Sequence, residues 1–185
     1  MLTYEMDIAG LKRELPLCRV SDDVYIGAFV MFGDVELTVH CAEELLKRAP
    51  DYDYIIAPEA KSIPLLYEMA RQSGENKYFL ARKAPKLYMT GVFEVEVKSI
   101  TTEGTQKLVL DVADAEQMRG KRILIIDDVI STGESIKAME ALVEKAGGII
   151  AGKMFVLAEG ESQRRDDVIY LAPLPLFNAD GTPKQ

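Results

Sequence analysis

With 185 residues, 48% hydrophobic and 28% charged, the chain has enough apolar material for one domain with a sizeable core, which excludes disordered and fibrous classes. Its formal net charge of -8 argues against a nucleic-acid partner, because backbone-phosphate affinity needs concentrated Lys and Arg; any phosphate site must be local. Apolar stretches such as Ile123 to Ile126 and Ile149 to Ala151 are too short to span a bilayer and the N-terminus is not signal-like, so a cytoplasmic protein without a membrane partner is expected.

Cys18 and Cys41 have neither CxxC nor metal-ligand spacing and read as small core residues without a role. His40 is the single histidine; standing among Val39, Cys41, Leu45 and Leu46, it reads as a packed or half-exposed helix residue rather than a member of a triad or metal site. A helical pattern begins at Glu43 to Ala49 and ends at Pro50, and Tyr54 to Ala57 then reads as a short buried strand closing at Pro58. Ile63 to Gln72 carries Ile63, Leu66, Tyr67 and Ala70 on one helical face and runs out at Ser73-Gly74, before a second strand at Tyr78 to Ala81.

From Val92 to Thr101 the period changes to two, Val95, Val97 and Ser99 alternating with Glu94, Glu96 and Lys98. Gln106 to Asp111 can return antiparallel across Thr102 to Thr105, making a hairpin with one wet face. Arg122 to Ile126 is then a buried strand, Ser135 to Lys145 a helix stopped by Gly147-Gly148, and Ile149 to Leu157 another strand. This alternation predicts a doubly wound α/β fold in a single domain, with Ala172 to Phe177 and the polar end as a terminal extension.

The stretch that carries chemistry is Ile123-Leu-Ile-Ile-Asp-Asp-Val-Ile-Ser-Thr-Gly-Glu-Ser135. It puts two adjacent carboxylates at the carboxyl end of a buried strand, where ligands bind in open parallel sheets, followed by a small turn that opens a helix. Free backbone N–H groups from Ser131 through Gly133 and Glu134 to Ser135, with the hydroxyls of Thr132 and Ser135, suit a phosphate monoester. Asp127 and Asp128 are expected at a solvent-facing strand end, as acceptors for two neighbouring hydroxyls. Carboxylates for a diol and amides for a phosphate together describe a ribose 5-phosphate.

Ile123 to Ser135 resembles the phosphoribosyl pyrophosphate (PRPP) signature of the phosphoribosyltransferases with a Rossmann-like sheet, a flexible loop and a hood, and the resemblance runs from about Leu11 to Phe177, nearest adenine phosphoribosyltransferases. It implies that Asp127 and Asp128 bind the ribose hydroxyls in catalysis and that the turn binds the 5-phosphate. Ala57-Pro-Glu-Ala-Lys-Ser62 is similar to the family's pyrophosphate loop, which implies contacts from Glu59, Ala60, Lys61 and Ser62; Ser62 stands where Gly is common. Arg82, Lys83 and Lys86 resemble the basic segment that reaches pyrophosphate on the way into the flexible loop, itself about residues 86–110 with Glu103 as its catalytic acid. The hood is implied at about 11–35 and 158–177, where Phe32 in Phe32-Gly-Asp34 faces the base, Gly33 replacing the usual Arg; Ser131 also stands near the base.

The family likeness further implies a homodimer, PRPP and a purine base as small-molecule substrates, and Mg²⁺ carried by PRPP rather than by a protein cage. No Lys follows the last strand between Val156 and Ser162, where enzymes for 6-oxopurines place one, so adenine is the expected acceptor. The alternatives are a 6-oxopurine enzyme and a PRPP-sensing regulator, although a regulator needs a basic nucleic-acid-binding segment. A receiver-like phosphoacceptor leaves the Thr-Gly-x-Ser turn without a purpose.

Overall fold

A computed structural model describes residues 2–98 and 105–184. Its centre is a wholly parallel sheet of β4 (Tyr54–Pro58), β5 (Phe79–Ala81), β8 (Arg122–Ile130), β9 (Ile149–Glu159) and β10 (Ile169–Leu174), in the order β10-β9-β8-β4-β5. Successive residues of a strand point to opposite faces, and both faces are covered: Leu124 and Ile126 of β8 join one core, Ile123 and Ile125 the other, all four without accessible surface. The first core takes in helices α1 (Val35–Arg48) and α2 (Ile63–Ser73), the second α3 (Val112–Met118) and α4 (Glu134–Lys145). Each fully buried Ile or Leu contributes about 1.5–3 kcal/mol, so β8 is anchored strongly up to the point where its sequence turns acidic.

A second, antiparallel sheet, here called the hood sheet after the family likeness, has the order β1-β2-β3-β11, from β1 (Thr3–Ile8), β2 (Leu11–Arg19), β3 (Tyr25–Gly27) and β11 (Leu176–Phe177). It packs on the α1 side of the central sheet, where Ile8, Leu15, Leu17 and Phe177 share the first core. The hairpin of β6 (Val92–Lys98) and β7 (Thr105–Asp111) lies on the other side, and reciprocal backbone bonds between Arg82 and Val109, 2.8 and 2.7 Å, tie it to the end of β5.

Several expectations need correction. Ala172 to Phe177 is no extension: β10 is the fifth strand of the central sheet and β11 closes the hood. The antiparallel sheet takes in β1, which precedes Leu11. Helix α1 starts at Val35, eight residues before Glu43, because Asp34 caps it by accepting from the Leu37 N–H at 3.0 Å and Glu36 complements the helix dipole. On α2 the buried apolar face comprises Leu65, Leu66, Met69 and Ala70, while Tyr67 is exposed. Cys41 is buried as expected but Cys18 is exposed. Of the expected turn from Thr102 to Thr105, residues 102–104, with Glu103, lie outside the described residues, as do 99–101 before it. Among the described residues no helix is long and apolar enough to cross a membrane.

Candidate active site

The chain runs outward from β4 to β5 in one direction and from β8 through β9 to β10 in the other, so the order of the sheet reverses between β4 and β8. An open parallel sheet binds ligands at such a switch point, outside the carboxyl ends of its strands. Pairing of β4 with β8 stops at Ile56 and Ile125; beyond it Ala57 and Pro58 pair only with β5, and Asp127 and Val129 only with β9. A cleft of about 240 Å³ opens there, with Glu59, Ala60 and Lys61 on one side and Asp127, Asp128 and Ser135 on the other. Lys83 and the hairpin residues Gln106 and Leu108 complete its wall.

The acidic pair is not the solvent-facing end expected from the sequence. Asp128 is 6% exposed and Asp127 half-buried. Asp127 Oδ1 accepts from the Ser62 hydroxyl and, at 2.9 Å, from the Asp128 N–H; Ser62 Oγ also accepts from the Asp128 N–H at 3.1 Å. Asp128 Oδ1 accepts from the Val129 N–H at 2.8 Å, but its buried Oδ2 has no hydrogen-bond partner among the described residues. A buried acceptor left without a donor is costly, about 1–3 kcal/mol, and has capacity for one more hydrogen bond. Burial and then the neighbouring Asp128 charge raise the Asp127 pKa to about 7.

A smaller hollow next to this cleft, about 30 Å³, is lined by Asp127, Ser131, Thr132, Gly133 and Ser135. Gly133 precedes α4 at φ +80°, a conformation that favours glycine, and a Cβ there would meet Arg165 Nη1 at 2.7 Å. The turn thereby gathers the hydroxyl-bearing Ser131, Thr132 and Ser135 around one hollow at the start of α4, and a helix start is a place where free backbone amides suit an anion. Arg165 gave no signal in the sequence. It is placed beside the hollow by Asp167, which accepts from its Nε and Nη2 at 2.9 and 2.7 Å and also from Lys153.

The basic residues divide. Lys61 and Lys83 are exposed and line the cleft. Arg82 is engaged: its Nε donates to Glu59 at 2.5 Å and its Nη1 to the Tyr88 hydroxyl at 2.7 Å. Burial works against the Glu59 charge, but the Lys83 N–H at 2.6 Å and the Arg82 guanidinium outweigh it and hold the carboxyl below its usual range. Lys86 is half-buried and not among the residues of the cleft wall. In the hood, Phe32 is 53% exposed, and Gly33 at φ +84° leads straight into Asp34. Arg13 of β2 donates to both oxygens of Asp34, at 2.7 and 3.1 Å, and to Glu36 at 2.8 Å; the Arg13 guanidinium holds the Asp34 carboxyl below its usual range. Sequence reasoning missed Gln106, Leu108 and Arg165 because their places depend on how the hairpin and the segment after β9 fold back.

Comparison with known proteins agrees with this geometry. Residues 38–172 match the family described as phosphoribosyl transferase domain. Adenine phosphoribosyltransferase of Thermosipho africanus is 30% identical over 165 residues, covering 87% of this chain and 92% of the relative. The crystal structure of the enzyme of the same name from Thermoanaerobacter pseudethanolicus superposes with a TM-score of 0.63 at 27% identity, over 76% of this chain and 82% of that one. In fold alone, a Giardia lamblia APRTase complexed with 9-deazaadenine aligns over 93% of both chains with a TM-score of 0.63 at 15% identity. A family match over residues 38–172 and a relative aligned along most of both chains make this protein a member of the phosphoribosyltransferase family.

Proposed function

We propose that the protein transfers the 5-phosphoribosyl group of PRPP to adenine, releasing pyrophosphate and forming the nucleoside 5'-monophosphate. The observation that carries this is the buried acidic pair: Asp128 Oδ2 lacks a donor beside a cup suited to a phosphate, and a ribose 5-phosphate supplies hydroxyls to one and a phosphate to the other. The reaction needs no protein nucleophile. As pyrophosphate leaves C1, positive charge grows on the sugar, and the residues act by position and electrostatics. Asp127 and Asp128 hold the hydroxyls, the turn from Ser131 to Ser135 holds the phosphate, and Lys61 and Lys83 stand on the cleft wall to receive the departing pyrophosphate. Arg82 and Lys86 are assigned to pyrophosphate as well, Arg82 after release from Tyr88.

Mg²⁺ would fit here: the negative charge of Asp127 and Asp128, with the Asp128 Oδ2 unpartnered, suits a cation that PRPP itself would carry beside its ribose hydroxyls. It would supply charge neutralisation for the leaving pyrophosphate. Phe32, exposed on its turn, offers a face for the base, with Ser131 near the ring, and Glu103 is assigned to the loop that closes over the reaction. Adenine is preferred because no Lys lies between Val156 and Ser162 to donate to a 6-oxo group, while a hood carbonyl can accept from a 6-amino group. A wrong base leaves a buried partner unpaired, at about 1–3 kcal/mol each. The working form is proposed to be a homodimer, with exposed Leu87 and Tyr88 available to the second copy.

Pyrophosphate release from PRPP and Mg²⁺ with adenine, hypoxanthine, guanine or xanthine tests the proposal. The highest kcat/KM is expected for adenine. Preference for a 6-oxopurine overturns the acceptor but not the PRPP site, and release that ignores the base overturns the transferase.

A further inference from the structure

Ser62 stands at the N-terminus of α2, at the end of the pyrophosphate loop, without accessible surface. A serine at such a position ordinarily caps its own helix, yet its hydroxyl makes no capping bond. It reaches across the switch point instead, donating to Asp127 Oδ1 and accepting from the Asp128 N–H at 3.1 Å. The glycine common at this place in the family pattern has no atom with which to make either contact. A buried hydroxyl committed to the acidic pair rather than to its own helix ties the loop after β4 to the end of β8, two segments that no ladder joins beyond Ile56 and Ile125.

We infer that Ser62 is a positioning residue, orienting the Asp127 carboxylate for the ribose hydroxyls and coupling it to the pyrophosphate loop. The inference rests on the ribose 5-phosphate reading of the site. Two donors, Ser62 Oγ and the Asp128 N–H, converge on Asp127 Oδ1 and fix the plane of the carboxylate. The charged and titratable groups facing that carboxylate across the cleft are Asp128 on the same strand, Glu59 and Lys61 from the loop after β4, and Lys83 after β5, with Arg165 beside the adjoining hollow; the hairpin and the first turn of α4 line the cleft with Gln106, Leu108 and Ser135. Asp128 repels the Asp127 charge, whereas the Ser62 hydroxyl favours it. Removing the hydroxyl therefore does two things: it frees the carboxylate to rotate and it makes the anion harder to form.

Ribose 5-phosphate, which carries neither pyrophosphate nor base, isolates this effect. Its dissociation constant, measured by calorimetry between pH 5.5 and 8.5 for wild type, S62A, S62G and S62T, gives the test, with thermal unfolding as a check on folding. Variant-to-wild-type ratios at each pH cancel the titration of the ligand itself. S62A and S62G are expected to bind roughly tenfold more weakly near neutrality, with the acid limb moved up by about one pH unit; S62T, which keeps a hydroxyl, is expected to recover most of the loss. Wild-type affinity and pH dependence in S62A, or a loss that is the same at every pH and not recovered by S62T, overturns the inference. Absence of ribose 5-phosphate binding by the wild type overturns the functional reading beneath it.

Discussion

Asp127 and Asp128 stand at the end of β8, immediately after four residues without accessible surface, whereas Phe32 rides on a turn held at the surface by Arg13, Asp34 and Glu36. The first region is over-determined by burial: two cores, a parallel neighbour in β9 and the Ser62 hydroxyl leave the carboxylates little freedom, even with one oxygen unpartnered. The second is held by ion pairs whose side chains are 26% to 65% exposed, and water and salt weaken such pairs. The difference assigns the two substrates different kinds of holder. Under the proposed function, the acids proposed for PRPP sit in a buried parallel sheet, while Phe32, proposed for the base, borders a small antiparallel sheet assembled from both ends of the chain.

The largest expected effect comes from removing the charges on the rigid side. Asp127→Asn and Asp128→Asn each lose one or more charge-assisted hydrogen bonds to the ribose, worth about 1.5–3 kcal/mol apiece, so PRPP affinity should fall at least tenfold in each. The amide relieves the like-charge contact, and the folded state should be no less stable. Calorimetry with PRPP and Mg²⁺ beside thermal melts measures both quantities; wild-type affinity in both variants would remove the acidic pair from the site.

A smaller effect concerns pH. In the unfolded chain Asp127 loses its proton near the ordinary value of about 3.9, but in the folded protein it keeps it up to about 7. Between these values the folded state binds more protons than the unfolded one, so stability falls as pH rises through the window. The carboxyls of Asp53, held low chiefly by Arg122, and of Asp167, held low chiefly by Arg165, act in the opposite sense and only at more acidic pH. Unliganded wild type should therefore show a lower Tm at pH 7.5 than at 5.5, and Asp127→Asn should flatten that slope. Equal slopes in the two proteins would show that the Asp127 proton is not shared unequally between the folded and unfolded states.

The smallest effect is predicted in the hood. Arg13→Gln releases the Asp34 turn, and because the lost contacts are largely solvated, KM for the base should rise roughly two- to fivefold. KM for PRPP should stay within experimental error, and added salt should weaken the wild type toward the variant. A matching rise in KM for PRPP would show that the hood and the sheet end are one mechanical unit, contrary to the comparison.

How much of this was legible before folding follows from the reach of the interactions involved. The strand-turn-helix from Ile123 to Lys145, the α2 segment and the hairpin all declare themselves in consecutive residues, because hydrophobic period, a glycine turn and a proline stop are local signals. The same holds for the acidic pair and the turn proposed for phosphate, which one uninterrupted stretch supplies. What the chain order cannot carry is pairing between distant segments. The hood needs β11 to return beside β3, the fifth strand of the central sheet comes from a Pro-rich tail, and the burial of Asp128 follows from packing that no neighbour in sequence announces. The family likeness implies only that Ser62 belongs to a pyrophosphate loop; the approach of β4 and β8 at the switch point turns its hydroxyl onto Asp127. Arg165 and Gln106 join the site by the same cause, since tertiary contacts bring together side chains that local propensity treats as unrelated.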